Sequence, residues 1–233
     1  MTIIRDPVDQ LLSTINYFND LSRQKQFIFE NIKNEELIIE LGSNKTKFWE
    51  NYCRLRNSVS YDLGYVKCAE SYKGSKEELL RRIQNDFDIV LVREFFNEGL
   101  ILLKKLLNLN YEDIVCLAVN QSIRKTNQNE LNWAKSVIEN VSNADLIIYN
   151  FYLEKYKKLA IIFKNEVDKL KKMNEKYTEK CTDGRTIRNF YDKVEYNSFV
   201  LKKNLPQDLN LTCSLLVSNE VEISRYIDKE LNF

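Results

Sequence analysis

The chain has 233 residues, of which 44% are hydrophobic and 12% aromatic, enough to build a packed core and to exclude intrinsic disorder. Lys+Arg 35 against Asp+Glu 34 leaves a net charge of +1, too balanced for a surface that binds nucleic acid throughout. Histidine is absent, which excludes Ser-His-Asp and Cys-His catalysis, the HExxH zinc helix and Glu-x-x-His di-iron bundles.

The first helix starts at Asp6, a good N-cap, with Pro7 at the first helical position and Val8, Leu11, Ile15 and Phe18 recurring at three- and four-residue steps. Ile28 and Ile32 extend that pattern, and a short helix is predicted over Glu35–Leu41. From Asn44 the apolar positions Trp49, Tyr52, Leu55, Val59, Leu63 and Val66 predict another. Ser75 followed by Glu78 has the form of a capping box and opens a helix carrying Leu80, Ile83, Phe87 and Val90. Residues 87–109 are the most apolar stretch and are expected to form the central buried helix. Glu94 and Glu98, beside Arg93, fall there as surface charge. Asn110 with Asp113 caps the next predicted helix, the polar run Arg124–Glu130 is a loop, and Leu131, Ala134, Val137, Ile138 and Val141 mark a further helix face.

A long helix is then predicted from Asp145 to Cys181. Its stripe is Leu146, Tyr149, Leu153, Tyr156, Ala160, Phe163, Val167, Leu170, Asn174, Tyr177 and Cys181, alternating three and four. At 1.5 Å per residue it would be roughly 55 Å long. Before Lys164 apolar residues also lie off the stripe; after it, only the stripe remains. The helix is therefore expected to start in a globular body and leave it as an arm. The arm would turn at Asp183-Gly184 and return through Ile187, Phe190, Val194, Asn197 and Leu201, with Asn174 and Asn197 setting register. Pro206 ends the return, and residues 209–217 fit a strand or, better, a helix. Gly 5 and Pro 2 supply few turns for a sheet.

These elements predict an all-α fold: a bundle of about six to eight helices whose long helix continues into an antiparallel helical hairpin. Its parts would be a body over 1–163, a projecting arm over 164–203 and a C-terminal segment over 204–233 packing back on the body. Residues 168–190 carry seven cations and four anions. Val167, Leu170, Lys171, Lys172, Asn174, Tyr177, Arg185 and Arg188 are the candidate interaction residues, for a protein partner or for self-association into an oligomer. Nucleic acid is a less favoured partner for the same basic arm.

One short segment offers a different reading. Arg56-Asn57-Ser58-Val59-Ser60-Tyr61 resembles the RNxxxH signature of HEPN-type helical RNases, with Arg56 and Asn57 matching and Tyr61 standing where the His belongs. The resemblance implies a degenerate relative linked to RNA binding or cleavage, or to phage–host defence.

Cys53, Cys68, Cys116, Cys181 and Cys213 are odd in number and widely spaced, with no CxxC pair. They read as buried thiols in a reducing compartment. No signal-like apolar core opens the sequence, and the run Gly99–Leu109 is too short to span a bilayer. The expectation is thus a cytoplasmic, non-enzymatic interaction protein (an adaptor, regulator or assembly subunit) without metal or cofactor.

Overall fold

A computed structural model describes residues 1–21, 55–67, 70–119, 121–122, 126–190 and 194–231. The helix expected over Glu35–Leu41, Trp49, Cys53 and Cys68 lie outside the described residues. In chain order the elements are β1 (Thr2–Ile4), α1 (Pro7–Leu21), α2 (Ser58–Asp62), α3 (Lys76–Asp86), β2 (Val90–Val92), α4 (Phe96–Leu107), β3 (Gln121–Ser122), α5 (Gln128–Val141), α6 (Asn143–Ile162), α7 (Lys164–Cys181), β4 (Thr182–Phe190), β5 (Val194–Leu201), α8 (Gln207–Val217) and α9 (Glu220–Leu231). Single 3₁₀ turns occupy Arg93–Phe95 and Glu112–Ile114.

The fold is mixed α/β, which corrects the all-α expectation. Two sheets are present among the described residues: a parallel pair β1–β2 and an antiparallel trio ordered β3-β5-β4. The chain divides into two compact units, Met1–Gly99 with Thr126–Ile162, and Leu100–Lys125 with Phe163–Phe233.

The first unit is built around the parallel pair. Thr2, Ile3 and Ile4 stand opposite Val90, Leu91 and Val92. All three β2 residues are buried, so the strand has no polar face and reads as a plain apolar run. That is why residues 87–109 resembled one buried helix. Ile4, Leu79, Ile83, Val92, Ile148, Tyr152 and Tyr156 share the core over this pair. The Tyr156 hydroxyl donates to the Val90 carbonyl at 3.1 Å, tying α6 to the sheet. Gly99 lets α4 approach closely, because a Cβ there would meet Leu91 Cδ2 at 2.8 Å. A second cluster joins Leu11 and Leu12 of α1 to Ala134, Val137, Ile138 and Val141 of α5. The helix caps follow the sequence: Asp6 Oδ1 accepts from the Val8 and Asp9 amides, Ser75 Oγ from the Glu78 amide, and Asn127 and Glu130 form a reciprocal box.

The predicted long helix is two helices. At Phe163 the backbone takes φ −93° and ψ 6°, which ends α6, and α7 starts at Lys164. The stripe could not report this, because three–four spacing continues across a break that costs one residue.

In the second unit the return limb is a β-hairpin rather than a helix. Arg185, Ile187 and Phe190 of β4 pair with Phe199, Asn197 and Val194 of β5. Its β-branched and aromatic content, including Thr182, Thr186, Ile187, Tyr196, Phe199 and Val200, favours strand over helix. Gly184, at φ 119°, sits in the register shift between Thr182 and Arg185, so it serves a bulge and not a helix stop. Asn174 does not set a helical register with the return limb, which is strand; its Oδ1 accepts from the Cys116 amide at 3.2 Å. After Asn110 the chain makes only the single turn Glu112–Ile114 before running on without helix through Val119.

Cys181 and Cys213 form a disulfide with Cα atoms 5.1 Å apart, joining the end of α7 to α8. Both residues are buried. This corrects the reading of all five cysteines as thiols; among the described residues Cys116 is free. Residues 209–217 are helical.

Candidate functional site

The parallel register of β1 and β2 places Ile4 opposite Val92, so both strands end at the same level. The residues that follow are then brought side by side: Arg5-Asp6 after β1 and Arg93-Glu94 after β2. Each strand delivers an arginine and an acid at the entry to a helical segment, Arg5-Asp6 just before α1 and Arg93-Glu94 within the 3₁₀ turn. The C-terminal ends of parallel strands are where α/β folds bind ligands, since the backbone turns away there and opens a crevice.

A hydrogen bond ties the two junctions together. Glu94 Oε1 accepts from the Asp6 amide at 3.1 Å. The Tyr149 phenol, from α6, lies within electrostatic reach of the Glu94 carboxylate. Burial, then the charges of Glu94, Asp6 and Asp9, push the Tyr149 phenol well above its ordinary value, so it remains a neutral donor. Asp6 is already committed to the first amides of α1.

Arg5 is the least satisfied group here. Its Nη2 lies 3.8 Å from Asp9 Oδ2, a loose ion pair, while its Nε is buried without a hydrogen-bond partner among the described residues. Burial and then the neighbouring Arg93 lower its pKa, against the opposing pull of Asp9, Glu94 and Asp6. A guanidinium cannot deprotonate at physiological pH, so this is a cation with spare donors. Arg93 and Glu94 are exposed beside it. Two cations, a carboxylate and a neutral phenol can hold an anionic group and orient a hydroxyl.

The sequence carried a signal for this site. Thr2-Ile3-Ile4-Arg5-Asp6 and Val90-Leu91-Val92-Arg93-Glu94 repeat one pattern, an apolar-rich triplet followed by Arg and an acid. Taken singly, Asp6 was a helix cap, Glu94 surface charge and Tyr149 core; only the pairing of two short strands makes them neighbours.

The sequence-predicted candidates lie elsewhere. Val167 and Leu170 are buried within the second unit, 4% and 0% exposed, so no open stripe is offered to a partner. Lys171 and Lys172 are exposed, and Tyr177 is half-buried. The Arg185 guanidinium stacks over Phe199 at 4.5 Å, and Arg188 bonds Glu222 at 3.4 Å and the Phe199 carbonyl. The structure does not gather these residues into one site.

Arg56 and Asn57 form a buried clasp. Arg56 donates through Nε to the Val141 carbonyl at 3.1 Å and through Nη2 to Ser71. Asn57, at φ 48° and fully buried, accepts from the Ala144 and Asp145 amides at the start of α6, and its own amide donates to Ser142 Oγ. Asp145 in turn accepts from the Val59 and Ser60 amides and the Ser60 hydroxyl. Tyr61 is outside this network and 37% exposed. Arg56 and Asn57 are thus structural: Asn57 caps the start of α6 from a distant loop, and Arg56 holds the last carbonyl of α5. Among the described residues no cluster of acids and cysteines could hold a metal, and no helix is long and apolar enough to cross a membrane.

Residues 1–198 match the galactose-3-O-sulfotransferase family. The chain belongs to that family. Galactosylceramide sulfotransferase of Mus musculus is 26% identical over 124 residues, covering 52% of this chain and 28% of the relative. The Homo sapiens galactosylceramide sulfotransferase is 28% identical over 120 residues, with the same coverages. Galactose-3-O-sulfotransferase 3 of Bos taurus is 24% identical over 129 residues, again at 52% and 28%. The chain therefore spans well under a third of the length of these relatives. No solved structure matches it.

Membership of an enzyme family overturns the non-enzymatic interaction protein, with its coiled coil and oligomer, and equally the HEPN-type resemblance. The cytoplasmic expectation falls with them. It rested on cysteines read as reduced thiols and on the lack of a signal-like or bilayer-spanning run; the disulfide removes the first ground, and the sulfotransferase match overturns the expectation.

Proposed function

We propose that this sulfotransferase-family chain takes part in transferring a sulfuryl group from a phosphosulfate donor to the 3-hydroxyl of a galactosyl acceptor, and that the paired strand ends bind the donor. In such a transfer the sugar oxygen attacks sulfur, the sulfur–oxygen bond to the phosphate breaks, and the hydroxyl proton passes to a base. The leaving phosphate gains negative charge as the bond breaks, so fixed cations beside it favour the transition state. Arg5 and Arg93 are the cations of this site. With no histidine in the chain, a carboxylate is the natural acceptor of the proton, and Glu94 is the exposed one held at the junction.

The observation that supports this most is the half-buried Arg5, aimed from the end of a parallel strand with a buried, unpartnered Nε. A buried polar atom without a partner is costly unless something completes it, and a donor oxyanion would. The test is Arg5→Ala in the intact protein, with 3′-phosphoadenylyl sulfate as the donor probe. Loss of one charge-assisted bond should weaken donor binding by about tenfold or more, with Arg5→Lys intermediate. Unchanged donor affinity in Arg5→Ala would remove the assignment.

A further inference from the structure

The second unit contains a groove that the donor chemistry does not use. It lies between α8 and α9, has a volume of about 410 Å³, and is lined by Asn210, Leu211, Ser214, Leu215, Glu222 and Tyr226, among others. That volume lies within the range of small-ligand sites, about 300–1,000 Å³. The family match ends at residue 198, so these walls are built from sequence outside it.

Both walls are fixed. Cys213 of α8 is bonded to Cys181, and Val217 is buried. At the start of α9, Asn219 and Glu222 cap each other, the Asn219 amide reaches the Tyr196 hydroxyl at 3.3 Å, and Arg188 of β4 holds Glu222. A groove held this way keeps its shape without a ligand, which lowers the ordering cost of binding one.

The lining narrows the ligand class. Among the described residues no lysine or arginine lines the groove and Glu222 is the charged one that does, so a phosphate or sulfate meets a like charge there. The Asn210 amide and Tyr226 hydroxyl have no protein hydrogen-bond partner among the described residues and are open to a ligand. Leu211, Leu215 and the half-buried Tyr226 ring add an apolar surface beside these polar groups. Neutral hydrogen-bonding groups next to an aromatic and two aliphatic side chains match a sugar, whose hydroxyls need donors and acceptors and whose C–H face packs on carbon.

We propose that the α8–α9 groove is a binding site for a neutral glycan, separate in chemistry from the anion-holding strand ends. The galactosyl-acceptor reading enters in one respect, the choice of a β-galactoside as the ligand to try. The probe is lactose, followed by saturation-transfer NMR on the intact protein. Tyr226→Ala and Asn210→Ala should each weaken lactose binding by about tenfold or more, Tyr226→Phe should keep most of it, and Arg5→Ala should leave it unchanged. Asn210→Ala alters an exposed side chain, so it keeps the test usable should Tyr226→Ala not fold. Lactose binding indifferent to both groove substitutions would overturn the proposal. So would absence of lactose binding by protein that still transfers sulfate, an outcome that leaves the proposed activity intact. Lactose binding lost with Tyr226 or Asn210, in protein that transfers no sulfate, would support the groove and count against the activity.

Discussion

The two units of this chain hold their shape by different means. The first buries a continuous apolar core over a parallel strand pair and locks its loops with buried polar side chains, Asn57 and Asp145 above all. The second, among the described residues, has an apolar cluster around Leu117, Phe199 and Val217, with Val167 and Leu170 also buried, and a covalent bond between α7 and α8. Such a cross-link stabilises its unit by restricting the unfolded chain. The functional groups divide in parallel with this. The charged site rises from the ends of core strands, whose buried flanks fix where Arg5 and Glu94 stand. The neutral groove rests on helices steadied by a disulfide and a capping box.

Three perturbations test that contrast. The largest effect is expected from Tyr156→Ala, which removes a side chain 2% exposed together with its bond to Val90. It should destabilise the first unit by about 3–5 kcal/mol, seen as a lower midpoint in denaturant unfolding, and should disorder the strand ends that carry Arg5. A loss under about 1 kcal/mol would mean that the core is not continuous across the sheet.

Next in size is Cys213→Ser, or reduction of the wild type. Removal of a link spanning 32 residues should cost the second unit about 2–4 kcal/mol. Limited proteolysis should then cut within 163–231 while residues 126–162 stay protected. Equal sensitivity of both units would erase the distinction.

The smallest effect concerns Asp145. Burial, the dominant cause, raises its pKa, while bonds from Ser60 and Val59 pull the other way and Asp62 adds to the rise. A raised carboxylate pKa means that the folded state holds the proton longer than the unfolded chain does. Its contribution to stability is therefore largest below the unfolded value, about 4, and declines as pH rises through the folded value. Asp145→Asn should flatten that part of the stability–pH curve for the first unit relative to wild type. A parallel pair of curves would show that the clasp fully compensates the buried charge.

Local chemistry was legible from sequence wherever one turn of chain decides it. The caps at Asp6 and Ser75 and the buried face of α5 needed no partner to be recognised, since each depends on residues three or four apart, whereas the cap at Asn127 fell inside a run read as loop. Three-residue strands left no such trace. Thr2–Ile4 is too short for alternation, and Val90–Val92 is buried on both faces, so neither shows a period. In β4 and β5 the positions Ile187, Phe190, Val194, Asn197 and Leu201 mimic a helical stripe, and only their mutual pairing reveals strands.

Local sequence was enough for the starts of α1 and α3, the absence of histidine chemistry and the supply of apolar side chains. It also contained the repeated triplet–Arg–acid pattern, but in two places 88 residues apart, as the Asp6–Glu94 bond records. The tertiary structure alone decided that these two places meet, that Cys181 reaches Cys213, and that Asn57 caps a helix 87 residues away. The reason is the range of the forces involved. Caps and amphipathic faces are set by neighbours within a turn, whereas strand pairing, disulfide geometry and the burial of Arg5 exist only once distant segments have been brought together by the core they share.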